Sequence, residues 1–151
     1  MGRYHSDRCI VAFDFDGTLA TGGTVKAGEK LVLRPDVGRM LKFLKSREVY
    51  LILWTCRDGE SLDRALNILR WAGLGDAFSA VNDNIPGLEF TTSRKIYADY
   101  YVDDLAFGWR WGKRAKWLPL IELLERDKYF DPHGVREPGF LVEAYLEFLR
   151  R

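Results

Sequence analysis

The chain has 151 residues, which is enough for one domain with a buried core. Its composition is 47% hydrophobic and 30% charged, a balance typical of globular proteins, so we exclude a disordered chain. The formal net charge of +1 gives no whole-molecule argument for a nucleic-acid or membrane partner, although it leaves room for a local basic patch.

Features of the N-terminus and the cysteines concern the cellular compartment. The first residues lack the apolar stretch of a signal peptide, and no apolar run is long enough to span a bilayer. Cys9 and Cys56 both lie in apolar runs, which predicts two buried, reduced thiols. We therefore expect a cytoplasmic protein with no membrane partner.

The first half of the chain alternates apolar runs with amphipathic segments. The run at residues 9–13 is continuously apolar, which predicts a strand buried on both faces of a parallel sheet. A glycine-rich loop or small flap follows, and Pro35 then begins a helix with apolar residues at helical spacing up to Leu44. Residues 49–54 predict a second buried strand, and residues 62–69 predict a second amphipathic helix.

The second half continues this alternation. A short third strand is predicted at residues 80–81, and a fourth lies within residues 96–102. Apolar residues at helical spacing predict two further helices, at residues 117–124 and 141–148. Strands that alternate with helices over short connections predict an α/β fold. We expect a Rossmann-like, doubly wound parallel sheet flanked by helices, in a single domain over residues 1–151.

Polar residues cluster where the predicted strands end, which is the edge at which open parallel sheets bind ligands. They are Asp14 and Asp16 after the first strand, Thr55 after the second, and Asp103 and Asp104 after the fourth. Converging carboxylates repel one another unless a cation joins them, and ligand sets made of oxygen favour Mg²⁺. Thr55, together with Lys95 just before the fourth strand, suits the oxygens of a transferring phosphoryl group. The pattern therefore predicts phosphoryl chemistry with Mg²⁺ as cofactor.

Four short motifs resemble the signatures of one family. After the first strand the chain reads Asp14-Phe15-Asp16-Gly17-Thr18-Leu19, which is similar to the first signature of the haloacid dehalogenase superfamily. Thr55 resembles the second signature, Lys95 the third, and the segment ending in Asp103-Asp104 the fourth. The four occur in the family's order and spacing, over roughly the first two-thirds of the chain.

The resemblance implies a role for each matching residue. Asp14 would attack phosphorus and form an aspartyl-phosphate, and Asp16 would act as general acid and then general base. Thr55 and Lys95 would bind the phosphoryl oxygens. An aspartate at position 16 implies a hydrolase or phosphotransferase rather than a dehalogenase, because it supplies the proton that an alkoxide leaving group needs.

The resemblance also implies a metal site and an open active site. Mg²⁺ would be held by Asp14, by the backbone carbonyl of Asp16 and by Asp103, while Asp104 would act through water or orient Lys95. Family members differ chiefly in a cap domain inserted at either of two points. The corresponding segments here, residues 20–34 and 82–92, are too short for a cap. We therefore expect a capless member, which acts on large substrates or closes its site with a neighbouring subunit.

Residues next to Thr55 leave alternatives open. Cys56 has no arginine six residues later, as a cysteine-dependent phosphatase would need, so we favour a packed neighbour of Thr55 at the substrate site. Arg57 suits a contact with substrate phosphate and a loop cap equally well. Asn82 and Asn84 favour a turn over a substrate contact.

The expected function is hydrolysis of a phosphomonoester, with a small or macromolecular phosphorylated substrate. Residues 109–117 interleave tryptophans with basic residues, which suits either a nucleic-acid contact or, as we favour, a helix with buried tryptophans. The alternatives are a nucleic-acid 3′-phosphatase, a phosphotransferase and, from another class, a receiver-type phosphoacceptor module. The sequence leaves the oligomeric state open.

Overall fold

A computed structural model of the chain describes residues 8–22, 30–88, 93–106, 117–127 and 139–151. These ranges contain six strands and four helices. In chain order they are β1 (Ile10–Phe13), β2 (Ala20–Thr21), β3 (Val32–Leu33), α1 (Val37–Ser46), β4 (Tyr50–Leu53), α2 (Gly59–Trp71), β5 (Ala80–Val81), β6 (Tyr100–Val102), α3 (Leu118–Arg126) and α4 (Phe140–Arg150). The predicted strands and helices within these ranges are confirmed.

Four of the strands form one parallel sheet in the order β5-β4-β1-β6. Phe13 at the end of β1 is in register with Leu53 of β4 and with Val102 of β6. The three strands therefore end level with one another. The chain runs outward from β1 through β4 to β5 and then returns to the other side of β1, so the direction of winding reverses between β1 and β6. Ligands of open α/β sheets bind at such a switch point.

The central strand β1 is buried on both faces, as its continuous apolar run predicts. Val11 and Phe13 face a large core cluster that includes buried residues of all four helices. Ile10 and Ala12 face a second cluster, to which the described part of the chain contributes Ile85, Leu88, Ile96 and Ala98 from outside the helices. The protein is thus an α/β structure with a parallel sheet flanked by helices, while helices on both faces remain a prediction.

The two-stranded antiparallel pair β2–β3 stands in the segment predicted as a glycine-rich flap. Trp117, at the start of α3, is buried against Phe13, with the ring centroids 6.1 Å apart. The rest of the tryptophan-rich basic segment, residues 109–116, lies outside the described residues. Within the ranges that are described, no helix has the length and apolar character needed to cross a bilayer.

One prediction about the cysteines is wrong. Cys9 is buried as expected, but Cys56 is exposed. The physical reason is that β4 ends at Leu53, so Cys56 belongs to the connection before α2 and not to the buried strand. The apolar run in the sequence is therefore longer than the strand β4, which ends at Leu53.

Candidate functional site

Three of the predicted acidic residues meet at the carboxyl edge of the sheet. Asp14 directly follows β1, and its backbone N–H donates to the carbonyl oxygen of Val102, 2.9 Å away. Asp103 and Asp104 directly follow β6. One carboxylate oxygen from each of the three lies within 4.8 Å of the others. We call Asp14, Asp103 and Asp104 the acid cluster; it forms because the two strands end level.

The surroundings of Asp14 in the acid cluster change the pKa of its carboxyl. Burial and then the neighbouring charge of Asp103 raise the pKa of the Asp14 carboxyl to about 7, with a smaller contribution from Asp104. A hydrogen bond from Thr18 works in the opposite direction. A partly buried carboxyl with such a raised pKa is stabilised by gaining positive charge, either as a proton or as a bound cation. Near neutral pH, a proton and a cation would compete for Asp14.

Thr18 joins the two loops that carry the acid cluster, a role that the sequence did not reveal. Its fully buried hydroxyl donates to Asp14 Oδ2 at 3.2 Å and accepts from the backbone N–H of Asp104 at 3.0 Å. The only available signal was its position inside the first signature, next to Gly17. Thr18 therefore fixes the spacing between the first and last carboxylates.

Replacing Thr18 with valine should loosen the acid cluster while keeping the shape of the side chain. We expect the free energy of unfolding to fall by about 1–3 kcal/mol, because the N–H of Asp104 loses a buried acceptor. Mg²⁺ affinity, measured by calorimetric titration, should fall as well. Thr18→Ser keeps the hydroxyl and should retain most of that affinity. Equal Mg²⁺ binding by both variants would contradict a bridging role.

Gly17 lies directly beside the Asp104 carboxylate. Its φ of +78° is left-handed, and a Cβ built there would overlap the Asp104 carboxylate, 2.8 Å from its Cγ. The carbonyl oxygen of Gly17 accepts from Arg34 Nη2 at 2.7 Å. Only glycine fits both the backbone conformation and the space beside Asp104.

Asp16 has a different environment from the acid cluster. Both of its carboxylate oxygens accept from the guanidinium of Arg57, at 2.7 Å from Nε and 2.6 Å from Nη2. Its side chain is not part of the acid cluster. The predicted metal contact of Asp16 uses its backbone carbonyl and stays a prediction. The ion pair with Arg57, 41 residues along the chain, was not foreseen.

Thr55 and Arg57 belong to a loop that Asn82 holds in place. The Asn82 side chain accepts from the N–H of Thr55 at 2.8 Å and donates to the carbonyl oxygen of Arg57 at 3.4 Å. Thr55 Oγ1 accepts from the N–H of Arg57 at 3.1 Å. Asn82 itself has a left-handed φ of +52°, in agreement with its predicted turn role. The contact with the Thr55 loop adds a second role that the turn pattern alone did not indicate.

The other predicted substrate-binding residues, Cys56, Lys95 and Arg57, differ in their exposure. Cys56 and Lys95 are both exposed. Among the described residues, no ion pair or hydrogen bond connects the Lys95 ammonium to the acid cluster. Arg57 is 1% exposed, so its guanidinium does not face solvent. Substrate contacts by these three residues therefore remain predictions.

Together, the fold and the site define an α/β protein with an acid cluster at the switch point of a parallel sheet. The chain matches no family model and no curated protein. It is similar to the solved structure of a conserved protein from Bacteroides thetaiotaomicron, with 30% sequence identity and a TM-score of 0.64. The match covers 85% of this chain and 99% of the other. This chain therefore belongs to the same family as that conserved protein.

Proposed function

We propose that this protein is a Mg²⁺-dependent phosphomonoester hydrolase of the haloacid dehalogenase type, with a Rossmann-like, capless domain. The observation that carries the proposal is the meeting of Asp14, Asp103 and Asp104 at the switch point, with the pKa of Asp14 raised to about 7. Such a cluster is poorly stable without a cation. The four sequence signatures support the same conclusion, since three of the predicted acidic positions form the cluster.

The donor set fits Mg²⁺. It consists of carboxylate oxygens, the ligands that this ion prefers, and it leaves coordination positions for water and a substrate phosphate. When bound, Mg²⁺ would supply positive charge to the carboxylates and to the phosphoryl oxygens. Asp14 and Asp103 would hold it, with the backbone carbonyl of Asp16, and Asp104 would act through water or through Lys95.

The proposed reaction uses Asp14 and Asp16 in turn. An oxygen of ionised Asp14 attacks phosphorus, the bond between phosphorus and the ester oxygen breaks, and Asp16, in its protonated form, donates its proton to that oxygen. Water then attacks the phosphorus of the aspartyl-phosphate and gives a proton to Asp16. The P–O bond to Asp14 breaks, which releases phosphate and restores both carboxyl groups. Thr55 and Lys95 would bind the phosphoryl oxygens during both steps.

The substrate would be a phosphomonoester that reaches an open site. Residues 20–34 and 82–92 give too little chain for a cap domain, so the substrate itself or a neighbouring subunit would have to exclude water from Asp14. Cys56 and Lys95 are exposed, so both are accessible to such a substrate. We favour a large substrate or a range of substrates over a single small metabolite.

The test is phosphate release by the purified protein from a panel of phosphomonoesters. We expect repeated turnover with Mg²⁺ and none after EDTA treatment, with activity restored by added Mg²⁺. A receiver-type module would instead take up about one phosphate per chain and stop, a stoichiometry that phosphate counting distinguishes. The absence of release from every monoester in the presence of Mg²⁺ would contradict the proposal.

A further inference from the structure

Arg57 is the best-fixed cation in the described part of the site. Its Nη1 donates to the carbonyl oxygen of Ser61 at 3.0 Å, and its guanidinium carbon lies 5.3 Å from the centre of the Phe15 ring. Its backbone is held by Thr55 and Asn82. A buried guanidinium with this many partners has a single orientation, which is an advantage when a planar fork must meet a carboxylate.

The pair that Arg57 forms with Asp16 is asymmetric in its exposure. The Arg57 side chain is fully buried, whereas the Asp16 side chain is 30% exposed. Arg57 is therefore the fixed member of the pair, and Asp16 is the member that solvent or a substrate can reach. With both oxygens bound to Arg57, Asp16 presents neither oxygen freely to a leaving group, so it must release at least one of the two hydrogen bonds to exchange a proton with substrate.

We propose that Arg57 is a positioning residue for Asp16: it fixes the orientation of this carboxylate two residues from Asp14 and so determines how readily a proton reaches the leaving oxygen. This inference rests on the proposed function. Arg57 is then not one of the residues that would touch phosphate. The guanidinium is buried and already engaged by Asp16, Ser61 and Phe15, so it acts through Asp16 and not on the substrate.

The inference makes Arg57 and Asp16 one unit in the step that breaks the ester bond. A carboxylate that has lost its fixed partner samples several rotamers, and misplacing a reacting group by about 1 Å costs about a hundredfold in rate. Protonation matters most for a poor leaving group, because a good one departs as an anion without help. The effect of Arg57 should therefore depend on the leaving group, and it should require Asp16.

A double-mutant cycle tests this. The proteins are wild type, Arg57→Gln, Asp16→Asn and the double variant, and the measurement is leaving-group release in a single turnover with excess protein and Mg²⁺. With phenyl phosphate we expect Arg57→Gln to lose about 10- to 100-fold in rate, and with 4-nitrophenyl phosphate considerably less. In the Asp16→Asn background, the same change should alter the rate by less than about twofold. Half-saturating protein concentration should stay within about twofold of wild type.

Arg57→Lys provides a second route, because it keeps the positive charge and loses only the forked geometry. It should lose less than Arg57→Gln and show the same dependence on Asp16. Thermal unfolding of each variant checks the fold. If Arg57→Gln does not fold, Arg57→Lys replaces it in the double-mutant cycle.

Two results would overturn the positioning role while the proposed function stands. One is an equal loss of rate in both backgrounds; the other is a loss that falls mainly on substrate affinity, which would indicate direct contact with phosphate. Failure of the proposed function looks different: wild type itself would release no leaving group from either ester, and both proposals would then fall.

Discussion

Asp14→Asn should abolish phosphate release, with an expected loss of about a thousandfold or more. The substitution preserves size but removes the charge of the proposed nucleophile and one carboxylate of the acid cluster. Turnover of the best monoester from the substrate panel, with saturating Mg²⁺, is the measurement. Asp63→Asn is the matched control, because Asp63 is an exposed residue of α2 outside the acid cluster, and it should keep wild-type activity. A near-normal rate for Asp14→Asn would mean that another group attacks phosphorus.

Although Asp14→Asn should remove activity, it should make the protein more stable near neutral pH when divalent cations are absent. Folding raises the pKa of Asp14 from 3.8 to about 7, so the folded protein holds this proton more tightly than the unfolded chain. The contribution of Asp14 to stability is therefore present below about pH 4, declines as the pH rises towards 7, and does not change further above that. Asparagine does not titrate, so Asp14→Asn should become more stable than wild type as the pH rises through this window.

Denaturant unfolding with EDTA, from pH 4 to pH 8, measures this difference. Added Mg²⁺ at pH 8 should then raise the stability of wild type, because the ion binds the folded acid cluster, and it should have little effect on Asp14→Asn. A variant that is less stable than wild type at pH 8 in EDTA would show that burial and the charge of Asp103 do not act on Asp14 in this way.

The sequence predicted the acid cluster because its formation depends on backbone features that leave a clear pattern. The continuous apolar run of β1 identifies a central strand, and carboxylates that directly follow parallel strands must come together when the strands end level. No further information was needed to predict that Asp14 and Asp103 lie close together. The helices were equally predictable, since their buried residues recur at helical spacing along one face.

What the sequence could not give were contacts set by side-chain orientation between distant segments. The pair between Asp16 and Arg57, and the bridge from Thr18 to the backbone of Asp104, depend on which way a side chain turns after the backbone has folded. Arg57 illustrates this: in sequence it suited a phosphate contact and a loop cap equally well. The positions of Asp16, Ser61 and Phe15 around its guanidinium decide where it points.

The second large effect expected is that of Gly17→Ala. The new methyl group would overlap the Asp104 carboxylate, which is a movable side-chain end, so we expect Asp104 to turn away and the fold to survive. The cost to stability should then be about 1 kcal/mol, arising mainly from a non-glycine residue at a φ of +78°. The acid cluster, however, would lose its third carboxylate. We expect at least a tenfold loss of Mg²⁺ affinity, equivalent to about 1.4 kcal/mol, and a corresponding loss of phosphate release at limiting Mg²⁺.

Gly87→Ala is the control that isolates the overlap. Gly87 also has a left-handed φ, +85°, but a Cβ there meets nothing within 4 Å. Both variants therefore introduce the same backbone strain, and only Gly17→Ala displaces Asp104. Thermal unfolding should give similar losses for the two, whereas Mg²⁺ titration should separate them. If Gly17→Ala bound Mg²⁺ as tightly as Gly87→Ala, Asp104 would be dispensable to the metal site, and Asp14 with Asp103 would have to account for its affinity alone.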